Sequence, residues 1–169
     1  MTLLRDKLEN LRDLYIDELR DLYSAEKQLV DALPKMAEAA KAPELKEAFR
    51  SHLKETEGHV NRLERIFRGL DEKPTGETCK AMKGLIEEGE RYVKASGEAA
   101  VLDAALIGAA QRVEHYEMAG YGTARSLATR LNETAAVELL QETLDEEGEA
   151  DHKLTQIAEN SVNISASVS

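Results

Sequence analysis

Each of four amphipathic stretches in the chain carries a carboxylate or an imidazole where its hydrophobic stripe calls for an apolar residue. In the third stretch the stripe from Leu102 to Leu127 recurs at alternating spacings of three and four residues, and Glu117 stands where a leucine is expected. Glu26 interrupts the first stripe and Glu147 the last. The second stripe is broken by His52, Thr56 and His59. A buried carboxylate is costly unless a positive group meets it, so these polar layers indicate a carboxylate-bridged metal site inside a helix bundle.

A weak internal repeat brings further carboxylates into the same pattern. The residue numbers of Glu26 and Glu117 differ by 91, as do those of Glu55 and Glu146. The same shift relates four apolar pairs, namely Leu45 with Ala136, Phe49 with Leu140, Leu63 with Leu154, and Ile66 with Ile157. Two helix pairs related by a pseudo-twofold axis would gather these carboxylates around the axis. On the last helix the repeat favours Glu146 and the hydrophobic stripe favours Glu147, so both remain candidates.

Divalent iron or manganese would satisfy such a cluster. Carboxylates that share a core raise one another's pKa, and hard oxygen ligands combined with imidazole suit either metal. We therefore expect about two Fe or Mn ions per chain. His59 lies four residues after Glu55, and Asp151 four residues after Glu147, so each pair shares a helix face. The predicted bridging ligands are Glu55 and Glu146; the terminal ligands are Glu26, Glu117, His59 and Asp151, with Glu114 auxiliary and Glu147 the alternative to Glu146.

Other polar residues near the stripes are interpreted as supporting groups. Tyr121 and Tyr23 each lie about one turn from a predicted ligand and are candidate hydrogen-bond donors or radical sinks. His52 is interpreted either as a group that supports the site or as a core imidazole that is hydrogen-bonded for structural reasons. His115 is one position off the stripe, and His152 is interpreted as a surface residue.

Composition limits the class of protein. The 169 residues include 33% charged and 4% aromatic side chains, no Trp and three Pro, a profile typical of all-helical proteins. The net charge of −11 disfavours nucleic acid and anionic membrane as partners. The single Cys79 excludes an internal disulfide and a cysteine-rich metal motif. Because no segment resembles a signal peptide or a membrane span, we expect a cytoplasmic protein.

The order of the helical patterns indicates the fold. Thr2 and Asp6 are candidate start signals, Pro34 predicts a kink, and Asn132 is a candidate N-cap for the last helix. The predicted helices cover residues 2–41, 43–70, 78–94, 99–129 and about 133–160. A middle connection of about 30 residues, carrying its own short helix, favours a ferritin-like four-helix bundle over an up-down-up-down bundle. We predict a single all-α domain over residues 1–161 and a loose tail over 162–169.

Several short blocks resemble the bacterial YciF-like stress proteins, and the resemblance extends from about residue 3 to 161. The blocks are Tyr23-Ser-Ala-Glu-Lys-Gln-Leu29, His52-Leu-Lys-Glu-Thr56, Gly84-Leu-Ile-Glu-Glu88, Asp103-Ala-Ala-Leu-Ile107, Val113-Glu-His-Tyr-Glu117 with Tyr121-Gly-Thr123, and Glu142-Thr-Leu-Asp-Glu-Glu147. The resemblance implies a ferritin-like bundle with an added short helix, a homodimer, a dinuclear metal centre, and induction under osmotic or general stress. Glu114 and Glu117 also resemble the third-helix pair of rubrerythrins, which favours peroxide chemistry.

The chain departs from the wider ferritin and rubrerythrin pattern on two helices. Those proteins have a His three residues after the Glu of the second and fourth helices, where this chain has Gly58 and Glu149. Two functions follow as hypotheses. The first is a stress-associated non-haem dinuclear carboxylate protein that reacts with peroxide or oxygen and takes electrons from an external reductant or redox partner. The alternative is a non-catalytic structural or interaction dimer with a vestigial metal site.

Overall fold

The computed structural model describes residues 8–168 of the chain. Six α-helices occur in this range: α1 Leu11–Ala39, α2 Pro43–Leu70, α3 Lys80–Val93, α4 Ala99–Arg130, α5 Thr134–Ile157 and α6 Asn163–Ser167, with a π-helical turn, Ala158–Val162, between the last two. No described helix is both long and apolar enough to cross a membrane.

The four long helices form a bundle of two pairs. α1 packs along α2, and α4 packs along α5, each pair being joined by a short connection. The pairs meet where α2 contacts α5 and α1 contacts α4. The long connection between the pairs carries α3, which lies against α1 and α4. The predicted four-helix bundle with a long crossover and an extra short helix is confirmed.

The apolar core is divided into two clusters by a polar layer. One cluster contains Phe49 and Val113, and the other contains Leu63 and Tyr121. On each long helix a buried polar residue lies between the part of the hydrophobic stripe that packs in one cluster and the part that packs in the other. The interrupted positions predicted from the sequence therefore lie at one level, enclosed above and below by apolar side chains.

The ends of the helices differ from the sequence prediction at several places. α1 begins at Leu11, because the side chain of Asn10 accepts a hydrogen bond from the Asp13 amide at 3.0 Å and caps the helix. The proposed start signals at Thr2 and Asp6 lie outside the described residues. Pro34 lies within α1, which continues to Ala39.

Asn132 ends α4 instead of capping α5. Its φ is 60°, and its amide donates to the Thr129 carbonyl while the Glu133 amide donates to the Ala128 carbonyl. These two bonds form the C-terminal motif in which a residue in the left-handed region, often Gly or Asn, satisfies the last carbonyls of a helix. The N-cap position of α5 is occupied by Glu133, which makes no capping side-chain bond.

Helical structure also continues beyond residue 161, where the sequence predicted a loose tail. The π-helical turn and α6 extend the chain to Ser167. Ala158 and Val162 follow Leu154 at intervals of four residues and remain buried in the same apolar cluster. The apolar stripe of α5 is therefore longer than the sequence interpretation allowed.

Asp103 of α4 holds the connection between α1 and α2. Its carboxylate is buried and accepts hydrogen bonds from the Lys41 amide at 2.9 Å and the Ala42 amide at 2.7 Å. We expect Asp103→Ala to lower the free energy of unfolding by about 1–3 kcal/mol, because it removes a buried carboxylate that accepts hydrogen bonds from two part-buried backbone amides. Urea unfolding measures this effect. The exposed Asp31→Ala on α1 is the control and should change stability by less than about 0.5 kcal/mol; equal effects of the two variants would contradict the prediction.

Candidate metal centre

Four carboxylates and two imidazoles meet in the polar layer between the two apolar clusters. We call this set the buried Glu/His cluster: Glu26 of α1, His52 and His59 of α2, Glu114 and Glu117 of α4, and Glu147 of α5. None of the six is more than 6% exposed. Each long helix contributes at least one member from its hydrophobic stripe, so the bundle itself sets their spacing.

The cluster divides into two groups of converging ligand atoms. In the first, one atom each of His52, Glu114, Glu117 and Glu147 lies within 4.8 Å of all the others, and in the second the same holds for Glu26, His59 and Glu147. Glu147 belongs to both groups. The arrangement therefore offers two adjacent ion positions that share one carboxylate.

Each imidazole directs one ring nitrogen into the cluster. Nδ1 of His59 lies 3.2 Å from a Glu26 oxygen and 3.0 Å from a Glu147 oxygen. Nε2 of His52 lies 3.3 Å from a Glu114 oxygen and 3.6 Å from a Glu147 oxygen. The phenol of Tyr121 donates a hydrogen bond to Glu26, as predicted for a supporting donor.

Most of the polar atoms in the cluster make no hydrogen bond. Ten buried side-chain N or O atoms in the described part of the chain lack a hydrogen-bond partner, and eight of them belong to the cluster. These eight are Oε2 of Glu26, Nε2 of His52, Nδ1 of His59, Oε2 of Glu114, and both oxygens of Glu117 and Glu147. Buried polar atoms in folded proteins are nearly always partnered. Although the two imidazole nitrogens lie close to carboxylate oxygens, none of the eight atoms makes a hydrogen bond, and oxygen and nitrogen atoms that converge in this way fit a divalent cation.

The second nitrogen of each imidazole faces outward to a partly exposed carboxylate. Nδ1 of His52 lies 3.1 Å from Glu55, whose side chain is 41% exposed. Nε2 of His59 lies 2.8 Å from Glu146, which also pairs with Arg62. An outer carboxylate that holds an imidazole is the usual support of a metal-binding histidine.

Glu55 and Glu146 therefore do not lie where the sequence analysis put bridging ligands. Adjacent residues on a helix point about 100° apart, so when Glu147 faces the core Glu146 must face its edge. The 91-residue repeat holds for both outer carboxylates, but it aligns the inward Glu147 with Thr56. Thr56 is fully buried, and its hydroxyl donates to the His52 carbonyl at 2.9 Å. α2 thus lacks the carboxylate that α5 provides, and its two histidines take that place.

Two other predicted residues lie outside both groups. Asp151 accepts a hydrogen bond from Gln111 at 3.1 Å and pairs with His115 at 3.2 Å at the edge between α4 and α5. Tyr23 donates to Glu64 at 3.1 Å and not to Glu26. Conversely, the sequence analysis gave His52 only a supporting role. Its place on the hydrophobic stripe, one turn before Thr56, was the signal that it faces inward.

Burial and mutual repulsion shift the protonation of the cluster. Burial, with the charges of Glu26 and Glu147 added, holds the pKa of Glu117 well above its usual range. Burial likewise raises the pKa of Glu147 to about 7. Burial disfavours the charged form of His59, but Glu147 and Glu26 outweigh it and raise the pKa of this imidazole to about 10. Without metal, the cluster therefore holds protons on its imidazoles at neutral pH.

The same balance applies to His52, and the opposite shift applies to the outer carboxylates. Burial disfavours the imidazolium of His52, but Glu114 and Glu55 overcome this and raise its pKa well above the ordinary value. The hydrogen bond from His52 lowers the pKa of Glu55, and that from Arg62 lowers the pKa of Glu146. The outer pair therefore stays ionised beside the imidazoles.

A cleft between α2 and α5 gives access to one side of the cluster. Its volume is about 900 Å³, and His52 and Glu114 are among its lining residues. Glu55 and Glu146 line it as well, together with apolar residues such as Phe49 and Leu154. Ions and small molecules can therefore approach the first group of ligand atoms from this cleft.

Comparisons with known proteins agree with this architecture. The profile of a family described as a domain of unknown function, DUF892, matches residues 10–167. YciF of Escherichia coli strain K12 is 45% identical over 157 residues, which are 92% of this chain and 95% of that protein. The crystal structure of E. coli YciF, described as a stress protein, matches with a TM-score of 0.89 at 46% identity and covers 92% of this chain and 98% of that one.

Two further solved structures share the fold. YcfI of Rhodopseudomonas palustris, described as a candidate structural protein, matches with a TM-score of 0.88 at 41% identity, covering 93% of this chain and 99% of that one. An Anabaena variabilis protein with a DJ-1/ThiJ/PfpI-like and a ferritin-like domain matches with a TM-score of 0.60 at 15% identity, covering 92% of this chain and 38% of that one. This last likeness concerns the fold alone. The chain therefore belongs to the YciF-like DUF892 family and has a ferritin-like fold.

Proposed function

We propose that the protein is a non-haem metal protein that holds two Fe or Mn ions per chain in the buried Glu/His cluster. The observation that carries this proposal is the set of eight buried ligand atoms without hydrogen-bond partners. His52, Glu114 and Glu117 would hold one ion, Glu26 and His59 the other, and Glu147 both. Four carboxylates balance the charge of two divalent ions when both imidazoles are neutral, which favours this stoichiometry over one ion.

The proposed activity is reaction with hydrogen peroxide or oxygen in stress defence. When bound, iron or manganese would supply the redox chemistry. The protein side chains hold and orient the ligands: Glu55 and Glu146 fix the two imidazoles from outside, and Tyr121 fixes Glu26. The apolar clusters above and below the layer exclude water, and the cleft beside His52 admits a small oxidant.

The biological setting is proposed from the relatives. E. coli YciF is described as a stress protein, and we extend that role to this chain. We further propose that the protein is a cytoplasmic homodimer. We also propose that its electrons come from an external reductant, because the sequence contains one Cys and no cysteine-based redox module.

Glu147→Gln tests the ligand assignment, with Glu146→Gln as the matched neighbour. We expect the wild type, purified without chelators, to hold about two Fe or Mn ions per chain. Glu147→Gln should lose this metal, because both ligand groups contain Glu147. Glu146→Gln should still reach two ions at saturation with about 10–100-fold weaker affinity, as expected of a residue that supports a ligand. Elemental analysis and anaerobic titration measure both; the reverse order of effects would refute the assignment.

A non-catalytic structural role is the second candidate function. It is favoured by the description of R. palustris YcfI as a candidate structural protein. A wild-type protein that is isolated empty and takes up neither Fe(II) nor Mn(II) under anaerobic conditions would establish this alternative and reject the metal protein.

A further inference from the structure

A second set of reactive side chains lies on the outer side of α4, next to the buried Glu/His cluster. It consists of Tyr116 of α4, Asp21 of α1 and Cys79, which precedes α3. The phenol of Tyr116 donates a hydrogen bond of 2.5 Å to Oδ2 of Asp21. The thiol of Cys79 lies 3.2 Å from the same carboxylate oxygen and 3.1 Å from the Tyr116 oxygen. A phenol, a thiol and a carboxylate are therefore in mutual contact.

One member of this trio is next to a proposed ligand in the chain, and two members line a groove that is open to solvent. Tyr116 directly precedes Glu117 in the chain, so a single peptide bond links it to a proposed ligand. The Tyr116 side chain is half-buried and, with Asp21, lines an open groove of about 420 Å³ between α1 and α4. Cys79 is only 2% exposed and is the one cysteine of the chain.

We propose that Tyr116, Asp21 and Cys79 form a one-electron relay that carries oxidising equivalents away from the buried centre. The inference rests on the proposed function, which supplies the oxidant. A phenol is oxidised readily only when its proton can leave together with the electron, and Asp21 is placed to accept that proton. A thiol within contact distance of the phenol oxygen can then return a hydrogen atom to it.

Each transfer in the relay conserves protons and electrons. Tyr116 gives one electron to a one-electron oxidant and its phenolic proton to Asp21, which leaves a tyrosyl radical. Cys79 transfers one hydrogen atom to the Tyr116 oxygen, so the phenol is restored and a sulfur radical remains. Asp21 releases its proton to the groove. The sum is one thiol hydrogen converted to one proton and one electron. Because the sulfur is buried and Tyr116 lines the groove, Tyr116 returns a hydrogen atom to Cys79, and a small thiol reductant in the groove then gives a hydrogen atom to the Tyr116 oxygen.

A photochemical experiment tests the relay without metal. The metal-free protein is irradiated with tris(bipyridyl)ruthenium(II) and persulfate in air, and the remaining Cys79 thiol is counted by alkylation after denaturation. We expect Tyr116→Phe to protect the thiol almost completely. Asp21→Asn should slow thiol loss by at least about tenfold, because it removes a charge-assisted hydrogen bond to the reacting phenol. Tyr92→Phe, at an exposed tyrosine of α3, is the control and should not change the rate.

A spectroscopic readout separates the relay from simple shielding of the thiol. In Cys79→Ser, freeze-quenched samples should show a stronger tyrosyl radical signal by electron paramagnetic resonance, and the added signal should disappear when Tyr116→Phe is combined with it. Thiol loss that is unchanged in Tyr116→Phe, or a radical signal that is unchanged in Cys79→Ser, would overturn the relay.

A final arm connects the relay to the centre. Protein loaded with Fe(II) and treated with hydrogen peroxide should lose the Cys79 thiol through Tyr116, as in the photochemical arm. If the metal is bound and the thiol survives, the relay does not serve the centre and the inference fails. If no metal binds, the proposed function fails instead, and the photochemical arm alone decides whether the trio conducts.

Discussion

Glu117→Leu is expected to stabilise the metal-free protein and to abolish stabilisation by metal. In the wild type both carboxylate oxygens of Glu117 are fully buried and have no hydrogen-bond partner among residues 8–168. Burial and the neighbouring carboxylates hold its pKa well above the ordinary range, so the folded state bears a cost that the unfolded chain avoids. An apolar residue of similar size joins the two apolar clusters. We expect the free energy of unfolding of the metal-free protein to rise by about 1–4 kcal/mol.

Urea unfolding in the presence of chelator measures the stability of the metal-free protein, and urea unfolding in anaerobic Mn(II) measures the stabilisation by metal. The wild type should gain stability with Mn(II) in proportion to the logarithm of its concentration, and Glu117→Leu should gain little. Glu138→Leu, at an exposed carboxylate of α5, is the matched control and should leave the metal-dependent gain intact. A metal-free Glu117→Leu protein that is less stable than the wild type would contradict the view that the layer is held for binding.

The affinity of the protein for metal is expected to rise steeply with pH. A bound histidine must be neutral, but the neighbouring carboxylates raise the pKa of His59 to about 10 against burial, and the pKa of His52 is also raised. Metal must therefore displace imidazole protons throughout the neutral range. We expect the Mn(II) association constant to rise by about tenfold per pH unit for each proton displaced between pH 6 and 8.

Competition titrations with a chelating dye measure this slope, and an indicator dye counts the protons released. His59→Gln should reduce the slope by about one proton, whereas His152→Gln, at an exposed histidine, should not change it. A slope near zero in the wild type would mean that the imidazoles do not bind the ions.

The stability of the metal-free protein should fall as pH rises above about 6.5, whereas metal affinity rises. Because the folded pKa of His59 lies above its ordinary value of 6.5, the stability that its protonated form contributes is complete below about pH 6.5. It is lost as pH rises toward 10. Raising the pH thus weakens the empty bundle while it strengthens metal binding.

The fold could be predicted from the sequence because its signals are local. Hydrophobic stripes with a 3.6-residue period located the long helices, and the length of the middle connection indicated the pairing. The same stripes singled out Glu26, Glu117 and Glu147, because a carboxylate that replaces an apolar residue at a stripe position can only point inward. The bundle brings these three, with His59 and Glu114, into one layer.

The positions of Glu55, Glu146 and Asp151 depend on contacts that the sequence does not encode locally. Glu146 forms an ion pair with Arg62 on another helix, and Asp151 accepts a hydrogen bond from Gln111. Similarly, the repeat correctly paired Glu55 with Glu146, but it could not show that both lie outside the imidazoles. Asn132 illustrates the same limit at the backbone, since its left-handed φ follows from the termination of α4 and not from its ability to cap α5.

Because a polar layer divides the core, ions bound in that layer would hold the middle of the bundle together. Each end is held by its own apolar contacts, while the middle of the empty protein is held together by protonated imidazoles among crowded carboxylates. Breathing motions that open backbone amides to solvent should therefore be concentrated at the middle turns of the long helices, not at their termini. Binding of the ions would then reduce the motion of both ends of the bundle, although no segment would change its position.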